Sequence, residues 1–577
     1  MYFKYKLIIL SILFLTLTGC VIPARIDPAP PSYPTLFEGW KQTLTREPVQ
    51  TNLTHTPEPT LAIQGQPSPT PPSTQEETQP SLYLNPGLSP HFLSQLDISP
   101  FSLTLDPAVA DLQINIAPVN ADSDDPIWVY SLVAPFYTTT DSLTLEDLQA
   151  LWRGEPAQFF LTQLYLTAET RAALSVLWGE PGENQVTVLA QDELVAMDAT
   201  SEPILAVLPY EELTPRWKVL RLDGQSPIDT HFDSCAYPLS VQIRFEGGLP
   251  EGTITLPPGN YDPKKRTGLV MTGVTALVRA TAYRMELNGN TFPGQDIQTW
   301  LAEADLAHIS NEVPFAENCP TPDPVQHDLI FCSAPERIEL LEYVGADIIE
   351  LTGNHMLDYG VPAMELTLQL YEERGWQTYA GGWDLTVAQS STLINHNGNQ
   401  LAFLGCNPVG PYRAWATDTQ PGSAPCGDYS WLVAEIERLR SEGYLTIVTL
   451  QYAEDYTARP SAQMIADFQR LADAGAVVVN GSQAHTPKIM TFYKDSFLHY
   501  GLGNLFFDQM EVYSGDTLLA GTRDEFLDRL TFYDGELVSV ELLTAKLEDY
   551  ARPRPMTGVE REAFLSRIFS LAKDYQE

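Results

Sequence analysis

Two apolar patterns alternate through the second half of the chain. Short apolar runs such as 444–452 and 477–485 have the length and composition of buried strands. Between them lie longer segments, such as 363–375 and 463–476, whose apolar positions recur three and four residues apart, as on one face of a helix. The alternation extends over about 266–545 and predicts an α/β layered fold.

A smaller α/β pattern precedes this region. The run 128–136 predicts a strand, and 142–154 predicts a helix that begins at Ser142 or Thr144. We therefore expect a small separate α/β domain at 91–245. A generic spacing or docking role for it stays open.

The main domain is expected at 260–550. Near its end, 530–547 has the pattern of a hairpin whose turn is Asp534-Gly535. The remaining segment, 551–577, has helical spacing and predicts a C-terminal helix that closes the domain.

The amino terminus has the features of an export signal. Lys4 and Lys6 precede an apolar segment at 7–17, which is too short to span a bilayer. A small residue followed at once by Cys20 resembles a bacterial lipoprotein cleavage box, so 1–20 is predicted as a signal peptide and Cys20 as the lipidated residue. An ordinary signal peptide, or an uncleaved anchor with a chance cysteine, is the alternative.

The segment that follows, 21–90, contains 15 of the 46 prolines together with many Thr, Ser and Gln residues. Such a composition does not build a packed core and predicts an extended linker. The expected protein is therefore an extracytoplasmic lipoprotein, held to the cell membrane by its lipid anchor with its body outside.

Composition and charge exclude some classes of function. Hydrophobic residues make up 44% and charged residues 19%, which is typical of a globular protein. The net charge is −41, and a surface so negative repels phosphate backbones. We therefore expect no nucleic acid among the partners.

The cysteines fit an oxidising compartment. Without Cys20 five remain, so at least one thiol is free or pairs outside the chain. Cys319 with Cys332, and Cys406 with Cys426, are the natural local pairs and are predicted as disulfides.

Polar clusters follow several predicted strands, where open α/β sheets place their sites. The clusters are Ser310-Asn311-Glu312-Val313-Pro314, Gly353-Asn354-His355 with Asp358-Tyr359-Gly360, Gln451-Tyr452-Ala453-Glu454, and Gly481-Ser482-Gln483-Ala484-His485, the last followed by Gly501-Leu502-Gly503-Asn504.

The order of these clusters resembles the CapA family, which is linked to capsule and poly-γ-glutamate synthesis. Its pattern includes Asn-Asn-His-x-x-Asp-Tyr-Gly, matched by residues 353–360, and Leu-Gly-Asn-Phe-x-Phe, matched by residues 502–507. The resemblance covers about 280 residues. It implies a calcineurin-like metallophosphoesterase layered fold, and a partner that is a cell-surface polymer or the capsule synthesis machinery.

Three metal-ligand positions depart from the family pattern. The metal-binding Asp of the first motif is Val274, between matching Gly273 and Arg279, and two His positions hold Gln451 and Gln483. A two-metal site needs bridging anions and several imidazoles, so this chain is not expected to hold one.

The resemblance still implies roles for the matching residues. One divalent ion (Mn, Mg, Ca or Zn) would be held by Glu312, Asn354 and His485, with Gln451 or Gln483 helping. His355 would then donate a proton, oriented by Asp358. The residues expected to contact substrate are Asn311, Ser482, Glu454 and Asn504.

Several functions therefore stay open. The first is synthesis, export or remodelling of a capsule or poly-γ-glutamate polymer, with metal-dependent hydrolysis or transfer. The second is binding of a surface polymer without turnover, on a scaffold that has lost its enzyme chemistry. The third is sensing of a small anion by the domain at 91–245. That domain weakly resembles phosphate-type periplasmic solute-binding domains in its helix at 145–154 and in Tyr237-Pro238-Leu239.

Overall fold

The computed structural model describes residues 79–155, 163–183, 185–199, 204–248, 254–510, 512–514, 517–519 and 521–575. The predicted signal peptide, Cys20 and most of the predicted linker lie outside the described residues. Within the described ranges, no helix is long and apolar enough to cross a membrane. Residues 77–577 form one compact unit.

The amino-terminal part is built on a nine-stranded mixed sheet, here called the N-terminal sheet. Its central strand Ile127–Pro135 is buried at almost every position, as the sequence predicts. In spatial order its strands are Ser102–Thr104, Ser81–Leu84, Leu112–Pro118, Ser240–Gly247, Ile127–Pro135, Leu205–Pro209, Leu164–Leu166 and Val186–Val188, with Trp217–Val219 paired to Ile127–Pro135.

The folded region starts earlier than the sequence predicts. Strand Ser81–Leu84 lies inside the segment 21–90 that is expected to be linker. Leu82 is fully buried there, so a short apolar run at the end of a proline-rich stretch suffices to join the core.

Helices cover the N-terminal sheet. Thr144 caps the predicted helix, because its side chain accepts from the backbone of Asp147 and the Asp147 carboxylate accepts from the backbone of Thr144. The helices of this part are Pro90–Ser94, Leu145–Trp152, Ala168–Trp178 and Gln191–Val195.

The second part contains two large sheets. Sheet I has nine strands, and two parallel pairings place the carboxyl ends of Arg266–Thr272, Leu306–Asn311 and Ile348–Glu350 at one edge. Its strands run in the order Gln377–Tyr379, Ile348–Glu350, Leu306–Asn311, Arg266–Thr272, Asp524–Tyr533, Glu536–Glu548 and Arg552–Pro555, with Val274–Thr275 joining Leu306–Asn311 to Asn504–Phe506.

Sheet II has six strands, four of them parallel. Its strands run in the order Thr392–His396, Asn399–Cys406, Leu445–Leu450, Ala476–Asn480, Ser496–His499 and Met490–Tyr493.

The two sheets pack face to face, with helices outside them. In strand Arg266–Thr272, Leu269 and Met271 belong to the same buried cluster as the sheet II residues, whereas Val270 packs with helical residues such as Met364. This alternation gives a helix–sheet–sheet–helix layering, which confirms the predicted α/β layered fold and specifies its layers. The helices are Arg279–Asn288, Gln298–Ala302, Glu339–Tyr343, Val361–Glu373, Leu385–Ala388, Ser430–Ser441, Ala462–Ala474 and Gly558–Ala572.

Two disulfides close loops in this part. They join Cys319 to Cys332 and Cys406 to Cys426, the two pairs that the sequence suggests. Cys235 is a free, exposed cysteine.

Candidate functional site

The polar clusters of the sequence meet at the carboxyl ends of the parallel strands. Strand Leu306–Asn311 leads into Glu312, strand Leu445–Leu450 into Gln451, and strand Ala476–Asn480 into Gln483. They open on one cavity of about 240 Å³. Its lining comprises Arg279, Glu312, Leu329, Phe331, Asn354, His355, Val409, Gln451, Tyr452, Ala453, Glu454, Tyr456, Gln483, His485, Phe507 and Gln509.

Most of the predicted site residues lie on this lining. The structure brings together Glu312, Asn354, His355, Gln451, Glu454, Gln483 and His485. Asn311, Ser482 and Asn504, predicted to contact substrate, are instead fully buried outside the lining. Asn311 donates to the carbonyl of Val313 and to the hydroxyl of Tyr371, so it fixes the turn that positions Glu312.

His355 and Asp358 form a hydrogen-bonded pair. The Nδ1 atom of His355 lies 2.6 Å from the carboxylate of Asp358, which also accepts from the backbone of Phe331 at 2.9 Å. Burial lowers the pKa of His355, but the hydrogen bond to Asp358 and the charges of Glu312 and Asp358 outweigh it and leave the pKa above its usual 6.5. Such an imidazole is suited to donating a proton.

The second histidine is held by Asn504. The Nδ1 atom of His485 lies 2.9 Å from the side-chain oxygen of Asn504, whose amide nitrogen donates to two carbonyls. Nδ1 must therefore carry the proton in the neutral ring, and Nε2 keeps its lone pair.

Glu454 has a structural role in the site. Its carboxylate accepts from the backbone N–H of Tyr456 at 2.5 Å and from the backbone N–H of His485. The predicted substrate contact is thus a residue that also ties the loop after strand Leu445–Leu450 to the loop that carries His485.

Three amide oxygens on the lining have no hydrogen-bond partner among the residues that the structure describes. They belong to Asn354, Gln451 and Gln483, and all three atoms are buried. The amide nitrogen of Gln483 donates to the hydroxyl of Ser310 at 3.0 Å, which fixes the orientation of that side chain. Buried acceptors without a partner are costly, so they indicate a ligand that supplies donors or a cation.

These residues do not fit a two-metal centre. Val274 lies fully buried in strand Val274–Thr275, where the family pattern has its Asp, and it offers no ligand atom. Among the described residues, no three His, Cys, Asp or Glu side chains are grouped so as to hold a metal ion. A single ion would depend on Glu312, His485 and the amide oxygens, an oxygen-rich set that suits Ca²⁺ or Mg²⁺ better than softer metals.

An aromatic and cationic wall, which the sequence does not predict as part of the site, completes the cavity. The guanidinium of Arg279 lies 5.4 Å from the ring centre of Phe331 and 5.0 Å from that of Phe507, and it pairs with Asp508. Phe331 contacts the His355 ring at a centroid distance of 4.7 Å. The signal available in the sequence is that Arg279 matches the Arg of the first family motif.

Comparison with known families decides the assignment of this region. The bacterial capsule synthesis protein family PGA_cap matches residues 268–509, which contain the lining residues and both disulfides. This region belongs to that family. We refer to it below as the CapA-like domain.

Curated relatives carry related names. The capsule biosynthesis protein CapA of Bacillus anthracis is 22% identical over 326 residues, which cover 56% of this chain and 77% of the relative. The PGA biosynthesis protein CapA of Bacillus subtilis is 24% identical, over 32% of this chain and 48% of its own length. A probable polyglutamine synthesis accessory protein of Mycobacterium tuberculosis is 22% identical, over 37% of this chain and 59% of its own length. The chain thus spans about half the length of the last two.

Solved structures show only distant likeness. A putative 5'-nucleotidase from Staphylococcus aureus aligns over 52% of this chain and 58% of its own, with 9% identity and a TM-score of 0.28. An ABC-type phosphate transport receptor from Vibrio cholerae aligns over 25% of this chain and 70% of its own, with 13% identity and a TM-score of 0.20. Scores this low carry no argument about activity.

Proposed function

We propose that the protein acts in the synthesis, export or remodelling of a capsule or poly-γ-glutamate polymer. The observation that carries this proposal is the cavity at the strand ends, lined by the motif residues of the CapA-like domain. The names of the relatives, which concern capsule and PGA biosynthesis, support it. The partners would be the polymer and the machinery that makes it.

The proposed location is outside the cell membrane. A lipid on Cys20 would anchor the chain, and the proline-rich segment after it would separate the body from the bilayer. The two disulfides support this location, because such bonds form and persist in oxidising compartments.

The first proposed chemistry is hydrolysis or transfer with one divalent ion. Glu312, Asn354, His485 and the amide oxygens of Gln451 and Gln483 would hold the ion, which when bound acts as a Lewis acid. His355 would deliver a proton to the leaving group, and Asp358 would keep its ring oriented through the 2.6 Å hydrogen bond.

The second candidate is binding without turnover. It is favoured by Val274 and by the two glutamines, since these residues replace ligands that a two-metal enzyme needs. The cavity would then retain the polymer-binding part of the family's site without its chemistry.

One experiment separates the two candidates and tests the proposal that they share. Purified full-length protein is mixed with poly-γ-glutamate, with and without added Mn²⁺, Mg²⁺, Ca²⁺ or Zn²⁺, and polymer binding and chain length are both measured. His355→Ala is compared with His231→Ala, a matched change at an exposed histidine outside the cavity.

Shortening of the polymer that requires an added ion and is lost only in His355→Ala supports hydrolysis. Binding with unchanged polymer length supports the second candidate. If the polymer is neither bound nor shortened under any condition, the proposed function is wrong.

A further inference from the structure

The cavity presents hydrogen-bond donors as well as acceptors. The guanidinium of Arg279 lies against two aromatic rings, and its N–H donors lie in the plane of the group. One terminal nitrogen pairs with Asp508, and the Nε atom is buried without a partner among the described residues. Arg279 has a φ of 45° and starts helix Arg279–Asn288, and the backbone of Ala280 donates to Asp508 at 3.0 Å. The side chain is therefore fixed in place.

A guanidinium held this way is a receptor for a carboxylate. Planar N–H groups match the two oxygens of a carboxylate, and a preorganised arginine loses little entropy on binding one. His355, which contacts Phe331 next to Arg279, adds a second donor to the same wall.

The hydrogen-bond acceptors of the cavity require a ligand group that donates hydrogen bonds. The unpartnered oxygens of Asn354, Gln451 and Gln483 and the carboxylate of Glu312, which is only 4% exposed as a residue, can accept from N–H groups but not from an anion. An ammonium group would satisfy several of them at once.

Neither charge alone suits the cavity. A purely anionic ligand would leave the amide oxygens and Glu312 unpaired, and a purely cationic ligand would leave the Nε atom of Arg279 without an acceptor. The cavity volume of about 240 Å³ lies below the roughly 300–1,000 Å³ of pockets that enclose drug-sized ligands, so one small unit fits rather than several.

We propose that the cavity recognises a zwitterionic unit, in which one carbon bears both an ammonium and a carboxylate, as at the free amino end of an amino-acid polymer. This inference rests on the proposed function in its second form, binding without turnover, because the ammonium group would take the acceptors that a divalent ion would otherwise occupy. It makes that function more specific. In a γ-linked glutamate chain, only the amino-terminal residue carries both groups free, while interior residues offer a carboxylate and an amide N–H. The protein would thus bind chain ends in preference to chain interiors.

The test uses ligand variants on the unmodified full-length protein. The probes are γ-glutamyl-glutamate, its N-acetyl form, which lacks the ammonium, and the form whose amino-terminal residue has its α-carboxylate converted to an amide. We expect each modification to weaken binding by about tenfold or more, measured by calorimetry. Equal affinity for the parent and the N-acetyl probe would overturn the proposal.

Two substitutions test which side chain of the cavity recognises the carboxylate of the probe and which recognises its ammonium group. In Arg279→Met, amidation of the probe should no longer change the affinity, whereas acetylation still should. In Gln451→Leu the pattern should reverse, with the effect of acetylation reduced. His231→Ala should keep the full response to both modifications. Because the probe series on the unmodified protein is decisive alone, misfolding of a variant does not affect the test.

Long poly-γ-glutamate with free or acetylated amino ends separates this inference from the proposed function. Binding of free ends only supports both. Equal binding of the two polymers leaves the proposed function standing and contradicts recognition of chain ends. Binding of neither polymer nor dipeptide contradicts both.

Discussion

At the scale of single residues, Glu525 is a carboxyl group held in the interior of the molecule. It is fully buried in strand Asp524–Tyr533, and neither of its oxygens has a hydrogen-bond partner in the described part of the chain. Burial, and to a lesser degree the charge of Asp524, raises its pKa well above the usual 4.5. The group is therefore protonated in the folded protein at a pH at which it is ionised in the unfolded chain.

We predict that Glu525→Gln removes a pH-dependent loss of stability. Because the folded pKa is raised, the folded state holds the extra proton, and stability falls as the pH rises above the unfolded pKa, by about 1.4 kcal/mol per pH unit, until the folded pKa is reached. In denaturant unfolding from pH 4.5 upward, the free energy of unfolding of the variant should rise relative to that of the native protein. Glu562→Gln, at an exposed glutamate, is the control, and its free energy of unfolding should depend on pH as that of the native protein does. The same pH dependence in Glu525→Gln as in the native protein would contradict the prediction.

The His355 pair gives a second residue-scale prediction. Asp358→Asn removes a charge that raises the pKa of His355 and weakens the hydrogen bond that also raises it, so the effect of burial should grow and the pKa should fall. Arg413→Ala should move it upward, because the charge of Arg413 lowers the pKa. Histidine NMR titration measures both. An unchanged pKa in Asp358→Asn would show that Asp358 does not determine the pKa of His355.

The sequence predicts site residues where a motif encodes them locally. His355 and Asp358 are three residues apart, so their contact follows from one turn of chain. Arg279 meets Phe331 and Phe507 only because three distant segments converge, and no local pattern reveals such a contact. The alternation around Glu525 likewise gives no sign that both faces of its strand are covered.

At the scale of secondary-structure elements, apolar periodicity predicts the central strands and the covering helices well. Strand Leu445–Leu450 lies inside its predicted segment, and helix Ala462–Ala474 begins one residue before the predicted start. The two-residue strand Val274–Thr275 is not predicted, since it has no periodicity to detect and exists through its pairing with Asn504–Phe506. The early start at Ser81 is missed because proline-rich composition conceals a short apolar strand.

The Cys406–Cys426 disulfide gives an element-scale prediction. It links the end of strand Asn399–Cys406 to a position 20 residues later. Replacing both cysteines by alanine should lower the free energy of unfolding by about 3 kcal/mol, because the unfolded chain regains the freedom of that loop. Urea unfolding measures the change. A reductant should affect this variant less than the native protein, and equal effects would mean that the bond is not stabilising.

At the scale of the whole molecule, the N-terminal sheet is attached to the CapA-like domain by both apolar and charged contacts. Phe136 belongs to the core cluster of the second part and lies 5.0 Å from Phe492, ring centre to ring centre. Arg561, on helix Gly558–Ala572, forms two hydrogen bonds to Asp141, at 2.6 and 2.8 Å, and Lys218 pairs with Asp141 at 2.6 Å. Sequence patterns cannot predict such a junction, because its partners are hundreds of residues apart.

The junction predicts how stability depends on acid. Burial raises the pKa of Asp141, but hydrogen bonds and charges from Arg561 and Lys218 outweigh it and hold the pKa below its usual 3.8. A carboxyl whose folded pKa is depressed stabilises the fold above its unfolded pKa and loses that contribution as the pH falls. The side chain is 42% exposed, so solvent screening reduces the effect.

Asp141→Asn should therefore lower the free energy of unfolding by about 1–2 kcal/mol at pH 7, and the difference should shrink as the pH falls below about 4. Asp574→Asn is the matched control, because its pair with Arg459 is exposed on both sides and should contribute less than about 0.5 kcal/mol. Urea unfolding across this pH range measures both variants. A loss in Asp141→Asn that stays constant into acid would show that the aspartate acts through packing at the junction and not through its charge.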